Sequence, residues 1–299
     1  MGVERYLLLL LTHKDNMMNI LTFDIEEWFH IMDNETTRTA KEWGNYETRI
    51  QKNMERIYAM LNMANQKATF FCLGWIAETY PDVIREIANN GYEIGTHSRM
   101  HQLAYEQSRT EFTEDLSHSV KTLEDMTGQK VRYYRAPGFS IREDNKWAFE
   151  VLAELGIEVD CSVFPARRAH GGFPSYKSPI PSIIRYQGIE IKELPINLKY
   201  IFGKPVIFTG GGYFRLFPYS LIKKWTFESD YVMSYLHPRD FDDNQPIIKG
   251  LSPFRKFKSY VGLSRSEKKL EAWLSDFDFV DVHHALQIIQ WDEVPVIDV

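Results

Sequence analysis

The 299-residue sequence predicts an α/β fold, a largely parallel sheet or barrel with helices packed outside it, and three observations carry that expectation. Strand-like and helix-like segments alternate between residues 19 and 163 at the spacing of right-handed crossover units. Asp24, His97, Arg135 and His237 fall at or just after the ends of strand-like runs, where barrel enzymes assemble their active sites. Hydrophobic residues make up 44% of the chain and aromatic residues 14%, enough for a large core.

The elements follow in order. Residues 19–24 are a short apolar run ending in acid, read as the first strand. Across residues 46–65, Ile50, Met54, Ile57 and Leu61 recur at helical spacing and form one apolar face. Residues 68–73 read as a buried strand, and residues 81–90 as a helix stopped by Gly91. Residues 92–96 form a strand leading into His97. Ser108 with Glu111 is a capping-box pattern opening a helix that runs to about Gly128. Residues 131–134 are a strand, 147–155 a helix closed by Gly156, and 157–163 another strand. Beyond these the pattern loosens. Residues 166–178 read as a long loop, and 183–186 with 189–194 as a β-hairpin around Gly188. Residues 209–215 are glycine-rich, but they lack the lysine and hydroxyl residue of a phosphate-cradling loop. A helix is expected over 220–227, a strand over 231–236, an irregular excursion over 242–259, a helix capped by Ser264 with Glu267, and a last strand over 279–282.

Composition narrows the function. A net charge of -6 argues against a general nucleic-acid binder. The local run Arg255, Lys256 and Lys258, interleaved with Phe254 and Phe257, reads as a solvated face. Two cysteines, Cys72 and Cys161, make no disulfide framework and suit a reducing compartment. The apolar run at residues 6–11 is too short to span a membrane. Residues 1–17 are expected to lie outside a single domain formed by 18–299. No other stretch approaches membrane-spanning length, so a soluble, cytoplasmic protein is expected, with no oligomeric state assigned.

The candidate chemistry lies in four places. In Thr22-Phe23-Asp24-Ile25-Glu26-Glu27, strand alternation puts Asp24 and Glu26 on the same side, so that one carboxylate can bind metal while the other accepts a proton. His97 and His101, four apart, would share a cation if their segment were helical. The residue after His97 is Ser98, so a base must come from elsewhere, and Asp24 is available. Arg135 at a strand end offers a guanidinium fork suited to holding a carboxylate bidentately. His237, in Tyr235-Leu236-His237-Pro238, is a candidate proton donor for a leaving group. Two imidazoles and a carboxylate leave an open coordination position, the pattern of a catalytic metal. Of the remaining histidines, His30 and His170 border these segments. Together the parts point to metal-assisted hydrolysis.

Taken in order, Thr22-Phe23-Asp24, His97-x-x-x-His101, Arg135-x-Pro137-x-Phe139, the 160–165 segment and Leu236-His237 resemble the five motif regions of the polysaccharide deacetylase superfamily, the NodB-homology domain. The resemblance runs from about Ile20 to Pro238. It implies a distorted (β/α)7 barrel, here with a C-terminal extension packed on the same domain, and a metal-dependent N-deacetylase acting on an N-acetylated sugar or oligosaccharide. It also implies Asp24 as base, Arg135 as its partner, His237 as acid, and Glu26, His97 and His101 as ligands, with Glu27 the alternative to Glu26. The implied cofactor is one divalent ion; zinc suits these ligands, and cobalt, nickel, manganese and iron share them. The opening motif, the Gly-Gly-Gly-Tyr-Phe-Arg segment and Tyr-Leu-His-Pro are similar to a bacterial subgroup linked to surface or exopolysaccharide assembly. Trp28, Phe164, Tyr213, Phe214 and Arg215 are the candidate substrate contacts. The chain departs from the family pattern at Ile25, which separates two acids, at Val163, where an acid usually tunes the catalytic histidine (Asp160 or Glu193 being the substitutes considered), and at Arg239. A hydrolase of a non-carbohydrate amide or cyclic ureide, and a catalytically silent binding relative, are the competing readings.

Overall fold

The structure, a computed structural model, describes residues 17–32, 34–168 and 170–299. Of the segment expected to lie outside the domain, residues 1–16 fall outside the described residues. The strands are β1 (Met18–Ile20), β2 (Thr22–Ile25), β3 (Thr69–Cys72), β4 (Glu93–Thr96), β5 (Tyr133–Tyr134), β6 (Val159–Asp160), β7 (Ser182–Tyr186), β8 (Ile189–Glu193), β9 (Lys199–Ile201), β10 (Lys204–Val206), β11 (Tyr231–Met233) and β12 (Val296–Asp298). The main helices are α1 (Ile50–Ala64), α2 (Gly74–Thr79), α3 (Pro81–Asn89), α4 (Arg109–Thr127), α5 (Trp147–Glu154), α6 (Gly211–Leu216), α7 (Tyr219–Phe227), α8 (Pro253–Tyr260), α9 (Leu263–Asp276) and α10 (Val282–Ile288).

One sheet runs β12-β7-β8-β6-β5-β4-β3-β2, parallel from β2 through β6 to β8 and antiparallel only in the β7–β8 hairpin. Past β2 the curve continues through single parallel bridges, Phe23 to Leu236 and Tyr235 to Gly210. The remaining seam is spanned by side chains: Tyr231 Oη donates to Pro195 O at 2.8 Å, and Asn197 Oδ1 accepts from Met233 N at 3.0 Å. The result is the α/β fold expected, a curved sheet that no continuous ladder closes into a barrel.

Alternation along the first strands divides the core. Leu21, Phe23 and Ile25 point outward against Met54, Ile57 and Leu61 of α1, the apolar face visible in the sequence. Phe23 and Phe70 stack at 5.4 Å between ring centroids. Ile20, Phe71, Tyr133 and Met233 form a second, inner cluster. Asp24 and Glu26 therefore point to the inner side of the curved sheet, at its C-terminal rim.

Several expectations need correcting. The first strand is two, β1 pairing with β11 and β2 with β3, because the chain passes from one neighbour to the other at Leu21. Residues 242–259 are not irregular throughout, since Ser252 caps α8 by accepting from Arg255 N. Ser264 does not start the late helix. Gly262 does, at φ 73°, and a Cβ there would lie 2.3 Å from Arg215 O. Residues 279–282 make one bridge, Val280 to Ile20, and then turn into α10, which Asp281 caps by accepting from His284 N. The α2 helix, the β9–β10 hairpin and β12 were not anticipated.

Candidate active site

The site is built on the rim of β2, β4, β5 and the 234–240 segment. Arg135, fully buried, donates from Nη1 to Asp24 Oδ1 at 2.7 Å and to Thr22 Oγ1 at 2.7 Å. The expected bidentate fork is therefore not formed: one nitrogen is shared between two acceptors. Nε of Arg135 donates to Cys161 O, and the guanidinium lies 4.2 Å from the Phe71 ring centroid. The Arg135 carbonyl faces His97 Nδ1 at 2.7 Å, so Nδ1 carries the proton and Nε2 keeps its lone pair for a metal.

The segment carrying His97 and His101 is not helical, which corrects the expectation. Ser98 and His101 adopt φ of 68° and 53°. The turn persists because its backbone is bonded from three directions. Gly74 and Trp75 at the start of α2 donate to the carbonyls of Ser98 and Arg99, the Asp115 carboxylate accepts from Arg99 N and Met100 N, and Ser119 Oγ donates to Ser98 O. That turn, rather than a helix face, brings both rings to Glu26. One ligand atom from each of Glu26, His97 and His101 lies within 4.8 Å of the others, and all three residues are buried.

A divalent ion fits this donor set. Glu26 Oε2 is a buried acceptor with no aligned donor: His101 Nε2 approaches it to 2.7 Å without hydrogen-bond geometry. Burial opposes ionisation of Glu26, but His101, His237 and His97 outweigh it and hold its carboxyl below the ordinary range. Burial, only partly offset by Asp24, lowers His97 to about 4, which keeps it neutral as a ligand must be. Glu27, the alternative ligand, is committed elsewhere. Its carboxylate accepts from Thr48 Oγ1, Arg49 N and Ile50 N and so caps α1.

Opposite stands His237, with Nε2 3.8 Å from Asp24 Oδ2 and 3.6 Å from Glu26 Oε1. Its Nδ1 meets Asp240 Oδ2 at 3.1 Å, and Asp240 Oδ1 lies 3.0 Å from Arg215 Nε. Burial works against the imidazolium, but Asp240, Glu26 and Asp24 together raise His237 to about 9. Asp240 was missed in the sequence, and its signal was its place three residues after His237 at the start of a helical turn. The substitutes considered do other work. Asp160 and Glu193 form a buried carboxyl pair, Asp160 pushed up to about 6 by burial and Glu193 further, which binds Ser162 Oγ and Val163 N, while Val163 itself lies in the core.

The cavity over these groups has a volume of about 240 Å³ and adjoins a larger one of about 860 Å³, with His30, Ile31, Met32 and His101 common to both. Tyr213 and Arg215 line the first cavity, whereas Trp28, Phe164 and Phe214 do not. Trp28 packs edge-on against Phe29 and Tyr46, Phe164 against Phe139, and Phe214 against Trp273. His170 borders the larger cavity, and His30 accepts from Glu27 N through Nδ1. The glycine-rich segment has a packing cause: a Cβ on Gly210 would lie 2.1 Å from the Tyr235 ring. Phe257 and Lys258, read as a solvated face, are exposed and also border the cavity.

Residues 17–159 match the family model for polysaccharide deacetylase, and residues 161–287 match one described as a domain of unknown function, DUF3473. The chain is 33% identical over 96 residues to a peptidoglycan-N-acetylglucosamine deacetylase of Bacillus cereus, covering 32% of this chain and 35% of that protein. It is 30% identical over 101 residues to chitin deacetylase 1 of Saccharomyces cerevisiae, covering 34% and 33%. The chain thus spans about a third of the length of these curated relatives. A crystal structure of a Mycobacterium smegmatis protein assigned to the polysaccharide deacetylases superposes with a TM-score of 0.64 over 93% of this chain and 92% of that one, at 17% identity, a likeness of fold. Residues 17–159 are thus similar to the polysaccharide deacetylase domain of the NodB type. No helix among the described residues is long and apolar enough to cross a membrane.

Proposed function

We propose that this chain is a metal-dependent hydrolase that removes N-acetyl groups from an amino sugar within a polysaccharide or its biosynthetic intermediate. The observation that carries the proposal is the convergence of Glu26, His97 and His101 opposite a carboxylate–histidine pair, Asp24 and His237, in one cavity. A divalent ion held by Glu26, His97 and His101 supplies Lewis-acid polarisation of the acetamide carbonyl and makes water more acidic.

The chain's own residues supply the rest. Arg135 occupies Asp24 Oδ1 and leaves Oδ2, on the side facing His237, to take the proton of the attacking water. The water oxygen adds to the carbonyl carbon, and collapse of the tetrahedral adduct breaks the carbon–nitrogen bond, from which the amine leaves only when its nitrogen is protonated. His237 Nε2 gives that proton, while Asp240 holds Nδ1 and stabilises the imidazolium. The products are acetate and a free amino sugar.

Acetate release from a panel of N-acetylated oligosaccharides, combined with metal analysis, tests the assignment. Chelation should abolish release and added zinc or cobalt should restore it. A metal-loaded protein that releases no acetate from any member would return the chain to the silent binding relatives, and release that survives complete chelation would remove the metal from the proposal.

A further inference from the structure

Arg215, expected as a substrate contact, lines the cavity but is only 5% exposed, and its guanidinium is committed to the protein. Nη1 donates to Ser259 O at 2.8 Å and to Val261 O at 3.4 Å, and Nη2 donates to Lys258 O at 3.2 Å. Nε lies 3.0 Å from Asp240 Oδ1, a buried ion pair without hydrogen-bond alignment. All three nitrogens thus face protein oxygens.

The residue is clamped through its backbone as well. Lys269 of α9 donates from Nζ to the carbonyls of Phe214, Arg215 and Phe217 at 3.2, 2.6 and 2.7 Å, which closes the last turn of α6. The α8 helix buries no side chain, so polar bonds such as those from Arg215 tie its C-terminal end to the body. On the other side, Asp240 accepts from His237 N at 2.9 Å and meets His237 Nδ1 at 3.1 Å, both through Oδ2. Oδ1 is left to Arg215. A buried carboxylate stays ionised and in place only where its oxygens are matched. Burial opposes ionisation of Asp240, and Arg215 leads the contacts that outweigh it. A lysine could bring charge to Oδ1 but not the fork that reaches the α8 carbonyls as well.

We propose that Arg215 is a positioning residue for the proton donor: anchored on α8 and α9, it fixes Asp240, and Asp240 fixes the ring of His237. This role deepens the deacetylase reading, on which it rests, and takes Arg215 out of the substrate contacts.

A double-mutant cycle on metal-loaded protein tests the role. The amide is tetra-N-acetylchitotetraose, or another panel member that the unaltered protein turns over; the ester is 4-nitrophenyl acetate, whose leaving group needs no proton. Arg215→Met should lower kcat on the amide about tenfold or more, with KM within about twofold and the ester rate changed far less. Arg215→Lys should recover part of the amide rate. Arg215→Met combined with Asp240→Asn should be no slower than Asp240→Asn alone, because one acts through the other. The double variant removes both buried charges together, so it serves where the single one fails to fold. A raised KM with kcat retained would make Arg215 a substrate contact. Equal losses on amide and ester would make it a general support of the fold. A double variant slower than Asp240→Asn by about tenfold would separate it from Asp240. Each of these overturns the proposal. The nitrogen-15 resonance of His237 Nδ1 reads the same contact without substrate and should shift in Arg215→Met; an unmoved resonance also overturns it. If the unaltered protein released no acetate from any N-acetylated sugar, that shift would leave the positioning role standing while the deacetylase reading falls.

Discussion

At the residue scale, the decisive contact is Asp240 on His237, because it fixes both the tautomer and the charge of the proposed acid. Burial alone would push His237 down, and Asp240, Glu26 and Asp24 reverse the sign and carry it to about 9. The protonated form is the working form, so activity should hold through neutral pH and fall as pH rises past the His237 pKa. Asp240→Asn removes the first of the raising contacts, so the alkaline limb should move to lower pH with metal content unchanged; an unmoved limb would assign that limb to another group. Asp24→Asn should retain the metal and lower turnover by about 10²-fold or more, the usual contribution of a general base. If it stripped the metal instead, Asp24 would be a ligand. Residue types were the legible part of this site. Asp24, Glu26, His97, His101 and His237 were all named from the sequence and line one cavity, and Arg135, also named, is buried behind Asp24. Asp240 was not, because the search for a tuning acid followed family order to Val163 rather than the turn that His237 itself begins.

Elements explain which of two adjacent acids does what. Glu26 ends the inward-facing series of β2, and Glu27 turns back to cap α1. Glu27→Ala should lower stability by roughly 1–2 kcal/mol, the cost of a lost cap, and leave metal stoichiometry near one. Glu26→Ala should do the reverse, losing metal at little cost in folding. Calorimetric melting and metal analysis of the pair check both. Strands and helices with strong periodicity were legible within a few residues, α1 and α4 most clearly, the latter through the Ser108 and Glu111 capping box. What stayed hidden was set by tertiary contacts. The turn through His97 and His101 needs Asp115 and Ser119 from α4, and Gly262 starts α9 because Arg215 O leaves no room for a side chain. The α8 basic run reads as surface in one dimension, and only folding lays it against the cavity.

At the scale of the molecule, the site belongs to both matched segments. Asp24, Glu26, His97, His101 and Arg135 come from 17–159, and Arg215, His237 and Asp240 from 161–287. Neither half has a complete rim: β1 pairs with β11, and Asp24 N donates to Leu236 O. Fragments cut near residue 160 should therefore release no acetate separately, and mixing them should restore activity only where they refold together; an active N-terminal fragment would show that His237 is dispensable. The curved wall also has one weak line. Between residues 195–197 and 231–233 the strands are joined by the Tyr231 hydroxyl and the Asn197 amide rather than by a ladder. Two side-chain bonds hold less tightly than the rows of amides between β3 and β4, so the wall should part there first. Hydrogen exchange should register this opening as early deuterium uptake at Met233, quickened by Asn197→Ala, while the β4 amides stay protected. The strand beside that seam runs on into His237, so the line along which the wall opens ends close to the proposed proton donor.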